Sequence, residues 1–294
     1  MTRHLPPQQT THIAGVDGIQ LQLRAWRAEA PLGTVVVVHG FAEHGLRYGG
    51  LVDALVARQW NVLTYDHRGH GHSGGTRVFV TRFAEYTEDL ARMVAWAQAE
   101  LGGPVVLFGH SMGGLITLRT LLDRPMLAAA AVLSNPALAN KVVVPAWKEW
   151  LGQGASKLWP TLAIPSGIPP EHVSRDPEMV RDYAHDPLVS KQATARWYTE
   201  FCQAQAEVLA APDKLRELPM LALIGESDLI ADPGPNKAFF GKTGPRTQLS
   251  VYPGFYHELL NEPPADRDRV LADIGHWLSS LEAGTSNRAA GTSR

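Results

Sequence analysis

Gly109-His110-Ser111-Met112-Gly113 sets a serine between two glycines in the pattern G-x-S-x-G, the spacing of a nucleophile elbow. A hydroxyl serves acyl transfer only when a base removes its proton and an acid fixes the tautomer of that base. Elbow serines find these partners downstream, in the order serine, acid, histidine. Glu226, Asp228 and Asp232 follow the apolar run Leu221-Ala222-Leu223-Ile224, and the histidines beyond them are His257 and His276. Asp228 stands just past the carboxyl edge of that run and is expected to be the orienting acid. Glu226 comes too soon, Asp232 stands a turn too far, and the blander use of Asp228 is to cap the segment that follows. His257 occupies the loop position a general base requires, whereas His276 lies between Ile274 and Trp277 in an amphipathic stretch. A developing oxyanion needs backbone donors. The N–H of Met112, at a helix N-terminus, and that of Phe41, in His39-Gly40-Phe41, are the expected pair, with Gly40 permitting close approach.

At ordinary glycine and serine usage the elbow pattern arises by chance in roughly one chain of this length in ten, so its flanks decide. Pro104-Val105-Val106-Leu107-Phe108 before it reads as a buried strand, and Gly114 to Leu122 after it as a helix. Thr34 to His39 is another continuous β-branched run, expected where helices cover both faces of a strand. Similar runs recur at Asn61 to Tyr65, Ala129 to Ser134, Met220 to Gly225 and Gln248 to Tyr252, while Ile19 to Trp26 alternates with period two. Between them, Phe83, Tyr86, Leu90, Met93, Val94, Ala97 and Leu101 form a helical stripe that leaves Glu85, Glu88, Asp89 and Arg92 largely off it. Val270, Leu271, Ile274, Trp277, Leu278 and Leu281 repeat the pattern. The expected fold class is α/β: a mostly parallel, doubly wound sheet whose sites lie beyond the carboxyl ends of its strands.

From Ala137 to Ala211 no comparable strand run appears, and Pro145, Pro160, Pro165, Pro169 and Pro170 chop the segment into short pieces. The expected organisation is therefore a core over 11–136 and 212–283, an inserted helical cap over 137–211, and flexible termini at 1–10 and 284–294. Hydrophobic residues make up 45% of the 294 and charged residues 19%, enough apolar material for a sizeable core. A net charge of −2 without any Lys/Arg run offers no field for a phosphate backbone, which removes nucleic acid as a partner. Cys202 is the single cysteine, so an intrachain disulfide is impossible, and its helical surroundings suggest a buried thiol. His67, His70 and His72 invite a metal reading, but their glycine-rich loop would not gather imidazoles on one face as a helix does; no metal is assigned. The N-terminus shows no apolar secretory stretch and no run is long enough to span a bilayer, so a cytoplasmic location is expected.

Several stretches together resemble the monoacylglycerol lipase and lysophospholipase branch of the α/β-hydrolase fold serine hydrolases. They are His39-Gly40-Phe41-Ala42-Glu43-His44-Gly45-Leu46-Arg47-Tyr48, Asp66-His67-Arg68-Gly69-His70-Gly71-His72-Ser73-Gly74-Gly75 and Gly109-His110-Ser111-Met112-Gly113-Gly114. Ser174-Arg175-Asp176-Pro177, Asp186-Pro187-Leu188 and Tyr252-Pro253-Gly254-Phe255-Tyr256-His257-Glu258 add to them, and the likeness runs from about residue 11 to 281. The resemblance implies a triad of Ser111, Asp228 and His257, oxyanion donors at Phe41 and Met112, and no cofactor. Residues Ala139 to Pro170 depart from the family pattern, and in such enzymes the cap sets acyl-chain preference.

The expected function is hydrolysis of a small-molecule ester or lipid through an acyl-enzyme. Trp147, Trp150, Leu151, Leu158, Trp159 and Leu162 could line an acyl tunnel or simply glue the cap to the body. An apolar cap surface could also rest transiently on lipid, without a basic face to strengthen the contact. A short-chain carboxylesterase, a lysophospholipase or a lactone hydrolase would keep the same triad. Ser111 argues against a dehalogenase or an epoxide hydrolase, which place aspartate at the nucleophile position. A non-catalytic ligand receptor on this scaffold would usually have lost a triad residue, and none is lost.

Overall fold

The computed structural model describes residues 4–141 and 154–291, with 282–291 as backbone only. The architecture follows from the valine-rich runs. In β3 (Gly33–Val38) every residue is buried: Val36 and Val38 enter one apolar cluster, and Val35 and Val37 enter another on the opposite face. A strand covered on both sides has no wet face, hence no alternation in its sequence. Each of these side chains contributes roughly 1.5–3 kcal/mol by leaving water. The same division holds in β5 (Val105–His110), where Val105 and Leu107 face one cluster and Val106 and Phe108 the other.

These strands belong to an eight-stranded sheet with β1 (Gln9–Ala14), β2 (Gln20–Trp26), β4 (Trp60–Tyr65), β6 (Ala130–Ser134), β9 (Met220–Gly225) and β10 (Thr247–Tyr252). Its order is β1-β2-β4-β3-β5-β6-β9-β10. The β1–β2 and β2–β4 pairs are antiparallel, and the remaining pairs are parallel. Helices α1 (Gly49–Val56) and α7 (Pro264–Gly291) cover one face through Leu51, Val52, Leu55, Val270, Ile274 and Trp277. Helices α2 (Ala84–Glu100), α3 (Met112–Asp123) and α6 (Pro233–Phe240) cover the other.

Between β6 and β9 the chain leaves the sheet. The described part of this excursion holds α4 (Pro177–His185), α5 (Ala195–Leu209) and a two-stranded antiparallel ribbon of β7 (Ala163–Pro165) and β8 (Gln192–Thr194). The ribbon was not expected, because strands of three residues are too short to show a period. Trp197, Phe201, Ala204 and Val208 of α5 sink into the cluster that also holds Leu115 and Leu118 of α3, so this helix is seated on the body.

Three further expectations are corrected. The N-terminal segment is not loose from residue 4 on: His4 Nδ1 meets Asp53 Oδ2 at 2.6 Å, the Leu5 carbonyl accepts the Trp26 indole N–H at 3.0 Å, and β1 begins at Gln9. At the other end, α7 continues to Gly291, past the expected boundary at 284. Glu85 and Asp89 are buried rather than off the stripe of α2, because both receive Arg68. That guanidinium reaches Asp89 at 2.6 Å, Glu85 at 2.9 Å and Asp17 at 3.1 Å. It thereby pins the loop after β4 against α2. Among the described residues, no helix is long and apolar enough to cross a membrane.

Candidate active site

Four parallel strands deliver the expected site residues to one end of the sheet. Strand β5 ends at His110, and Ser111 follows at φ 52° and ψ −119°, a region L residues rarely enter. The turn is enforced by close packing. A Cβ on Gly109 would come 2.6 Å from Thr117 Oγ1, and one on Gly113 would drive into the Val38 carbonyl oxygen. Both glycines of the elbow are thus sterically required, one for the helix behind it and one for the neighbouring strand.

Strand β9 ends at Gly225, and Asp228 lies three residues beyond. Its Oδ1 accepts the N–H groups of Ile230 (2.7 Å) and Ala231 (3.0 Å), which leaves Oδ2 directed at His257 Nδ1, 2.7 Å away. One carboxylate oxygen therefore organises its own turn, and the other takes the imidazole N–H. On the far side of the ring, His257 Nε2 accepts from Ser111 Oγ at 2.8 Å. All three side chains are buried, with Asp228 at 2% exposure, His257 at 5% and Ser111 at 7%.

The rival residues are elsewhere. Asp232 accepts the Gly234 N–H as the cap of α6, Glu226 pairs with Lys237 at 3.4 Å on the surface, and His276 is exposed on α7. Past β3, Gly40 sits so near the elbow that a Cβ there would lie 3.2 Å from Ser111 Cβ. Among the described residues, no hydrogen bond uses the N–H of Phe41 or of Met112.

The electrostatics separate the histidines. Burial disfavours charging His257, but Asp228, by charge and hydrogen bond and with Glu258 and Glu43 behind it, lifts the imidazole above its ordinary 6.5. His110, whose ring centroid is 4.8 Å from that of His257, is pushed well down by burial and by the charge of His257. Its Nδ1–H donates to the Ser134 carbonyl at 3.1 Å. Burial likewise pushes His67 down to about 3 and His70 to about 4. His67 donates to the His39 carbonyl and His70 to the Arg68 carbonyl, both at 2.9 Å, so these rings brace the loop; His72 is exposed.

A cavity opens at Ser111 and His257. Ile168, Val173 and Tyr183, from the excursion between β6 and β9, line it together with Ile230. Trp159 and Leu162 are not among these lining residues. The backbone of Pro160 and Leu162 bonds to the first turn of α5, and Trp159 is left 63% exposed beside Leu158 at 90%. Trp147, Trp150 and Leu151 lie outside the described residues.

Asn135 is a site residue that spacing alone did not reveal. Its Nδ2 donates to the carbonyls of Tyr256 (3.0 Å) and His257 (2.8 Å), and its Oδ1 accepts the Gly225 N–H (2.8 Å). It thus joins the end of β9 to the loop carrying the imidazole. The only local hint was its position one residue past a strand run. His44 and Asp186, both in stretches that carried the family likeness, pair at 2.9 Å between the loop after β3 and the residue that follows α4.

Residues 29–264 match the family model described as serine aminopeptidase, S33. A monoacylglycerol lipase of Mycolicibacterium smegmatis is 33% identical over 275 residues, 91% of this chain and 95% of the relative. The human monoglyceride lipase is 32% identical over 294 residues, covering 96% of this chain and 95% of its own. Among solved structures, a Paleococcus ferrophilus monoacylglycerol lipase superimposes with a TM-score of 0.80 at 29% identity, over 89% of this chain and 99% of its own.

Proposed function

The chain belongs to the serine aminopeptidase S33 family of α/β-hydrolases, within its monoacylglycerol lipase branch, and on that premise we propose that it hydrolyses monoacylglycerols with Ser111, His257 and Asp228 as its triad. It is an ester-hydrolysing serine hydrolase of the monoacylglycerol lipase type. The observation that carries the residue assignment is the unbroken hydrogen-bonded chain from Ser111 Oγ through His257 to Asp228, at 2.8 and 2.7 Å.

In this mechanism Ser111 Oγ attacks the ester carbonyl as His257 Nε2 takes its proton, and Asp228 stabilises the imidazolium. The oxyanion is held by the N–H groups of Phe41 and Met112. Collapse expels the alcohol, which receives the proton from His257; water, activated by the same imidazole, then frees the fatty acid. The body over 11–136 and 212–283 supplies the chemistry, and the cap over 137–211 supplies Ile168, Val173 and Tyr183 to the substrate cavity.

The substrate class is tested with a chain-length series of monoacylglycerols beside nitrophenyl esters. The expected result is efficient turnover of medium- and long-chain monoacylglycerols. A preference for acetyl esters over every longer chain would instead place the protein with short-chain carboxylesterases.

A pH prediction follows from the raised His257. A general base works only when neutral, and its raised pKa keeps the inactive imidazolium populated to higher pH than a free imidazole would. The kcat/KM profile should therefore climb with pH and reach half its plateau above 6.5. His110, held neutral, adds no second limb in this range. A midpoint below 6.5 would contradict the assignment of His257 as the titrating base.

A further inference from the structure

Glu43 takes no part in the proton relay, yet it is 3% exposed and both of its carboxylate oxygens are engaged. Oε1 accepts the Gly40 N–H and the Tyr48 hydroxyl, the latter at 2.6 Å, and Oε2 accepts Arg47 Nε at 3.1 Å. The same guanidinium donates through Nη2 to Glu258, the residue after His257, and lies over the Tyr183 ring at 5.0 Å. Two carboxylates sharing one buried cation therefore join the loop after β3 to the loop after β10.

The loop after β3 needs such a hold. Ala42 adopts φ 66°, which only surrounding contacts can maintain in a residue with a side chain. Gly40, the residue just before the Phe41 N–H, is the most permissive residue type and has no side chain to lock it. Among the described residues, the side chain that grips its N–H is Glu43.

We propose that Glu43 is a positioning residue for ester hydrolysis, fixing the Gly40 N–H so that the next N–H, that of Phe41, faces the oxyanion, while Arg47 and Glu258 keep this loop in register with His257. The inference rests on the roles assigned above to Phe41 and His257. Desolvation and the neighbouring Glu258 raise the Glu43 carboxyl, and Arg47, Tyr48 and the Gly40 N–H oppose that rise.

The test uses the full chain carrying Glu43→Leu, which removes the acceptor, and Glu43→Gln, which keeps an acceptor oxygen but loses the charge. Rates are taken on a monoacylglycerol and normalised to sites titrated by an organophosphonate that labels Ser111, so misfolded protein is not counted. Glu43→Leu should lower kcat about 100-fold, the lower range for loss of one oxyanion donor, with KM nearly unchanged. Glu43→Gln should lose only about 5–10-fold, again in kcat, because a neutral hydrogen bond is roughly half as strong as a charged one. If the leucine variant does not fold, the glutamine variant decides alone. Wild-type kcat per titrated site in either variant, or a loss carried by KM, would overturn the proposal. Activity surviving Ser111→Ala would instead remove the triad on which the proposal stands.

Discussion

Ser111→Ala is expected to lower kcat by roughly six orders of magnitude on any ester the protein turns over, as nucleophile deletions do in serine hydrolases with a complete triad. The reason is local. The variant keeps the Cβ and the elbow, so its φ of 52° and the packing of Gly109 and Gly113 are undisturbed, and only the oxygen that faces His257 Nε2 at 2.8 Å is lost. Substrate should still bind, and a residual acceleration over water of about 10³–10⁴ should remain from the backbone donors and binding. The measurement is steady-state turnover of a nitrophenyl ester by purified variant and parent, with a thermal melt to show equal folding. Parent-like turnover would dismiss Ser111 as nucleophile and with it the whole relay.

Asp228→Asn should cost about 10⁴ in kcat with little change in fold. Asparagine can keep Oδ1 on the N–H groups of Ile230 and Ala231, so the turn survives. What changes is the partner of His257 Nδ1: an amide N–H in place of the carboxylate would demand an acceptor there, moving the ring proton to Nε2, where Ser111 needs a lone pair. Asp232→Asn is the control, because that side chain caps α6 and pairs with Lys141 at 3.8 Å without meeting His257, and it should leave kcat close to the parent value. Were Asp232→Asn the crippled variant and Asp228→Asn the active one, the acid would have to be reassigned.

The sheet was legible where burial on both faces left its mark. Val35 to Val38, Val105 to Phe108 and Leu221 to Ile224 are buried runs in the structure as in the sequence. The residues brought to the sheet's carboxyl end were legible for a related reason: the elbow and the acid each follow such a run, while the histidine follows β10, an edge strand that is only partly buried. Strand β1 was hidden because Gln9, Thr10, Thr11 and His12 alternate between half-buried and exposed positions without an apolar face. Asp89 and Glu85 read as lying off the apolar stripe because a helix stripe records polarity, not the distant Arg68 that compensates it. Asn135, Glu43 and Arg47 escaped assignment since their work is done through hydrogen bonds to segments remote in sequence. Trp159, read as either tunnel lining or glue between cap and body, is 63% exposed, because an aromatic residue in a sequence does not record which way it faces.

The excursion between β6 and β9 has a consequence for how this molecule can change over time. The chain leaves the sheet after Ser134, at the carboxyl end of β6, and rejoins it on the adjacent strand at Met220, three residues before Leu223, the partner of Ser134, so both ends of the excursion are fixed to one ladder. Doubling the length of what lies between them costs only about 0.6 kcal/mol in closure entropy. A longer or shorter excursion can therefore be accommodated here at little cost to the sheet that carries Ser111 and Asp228.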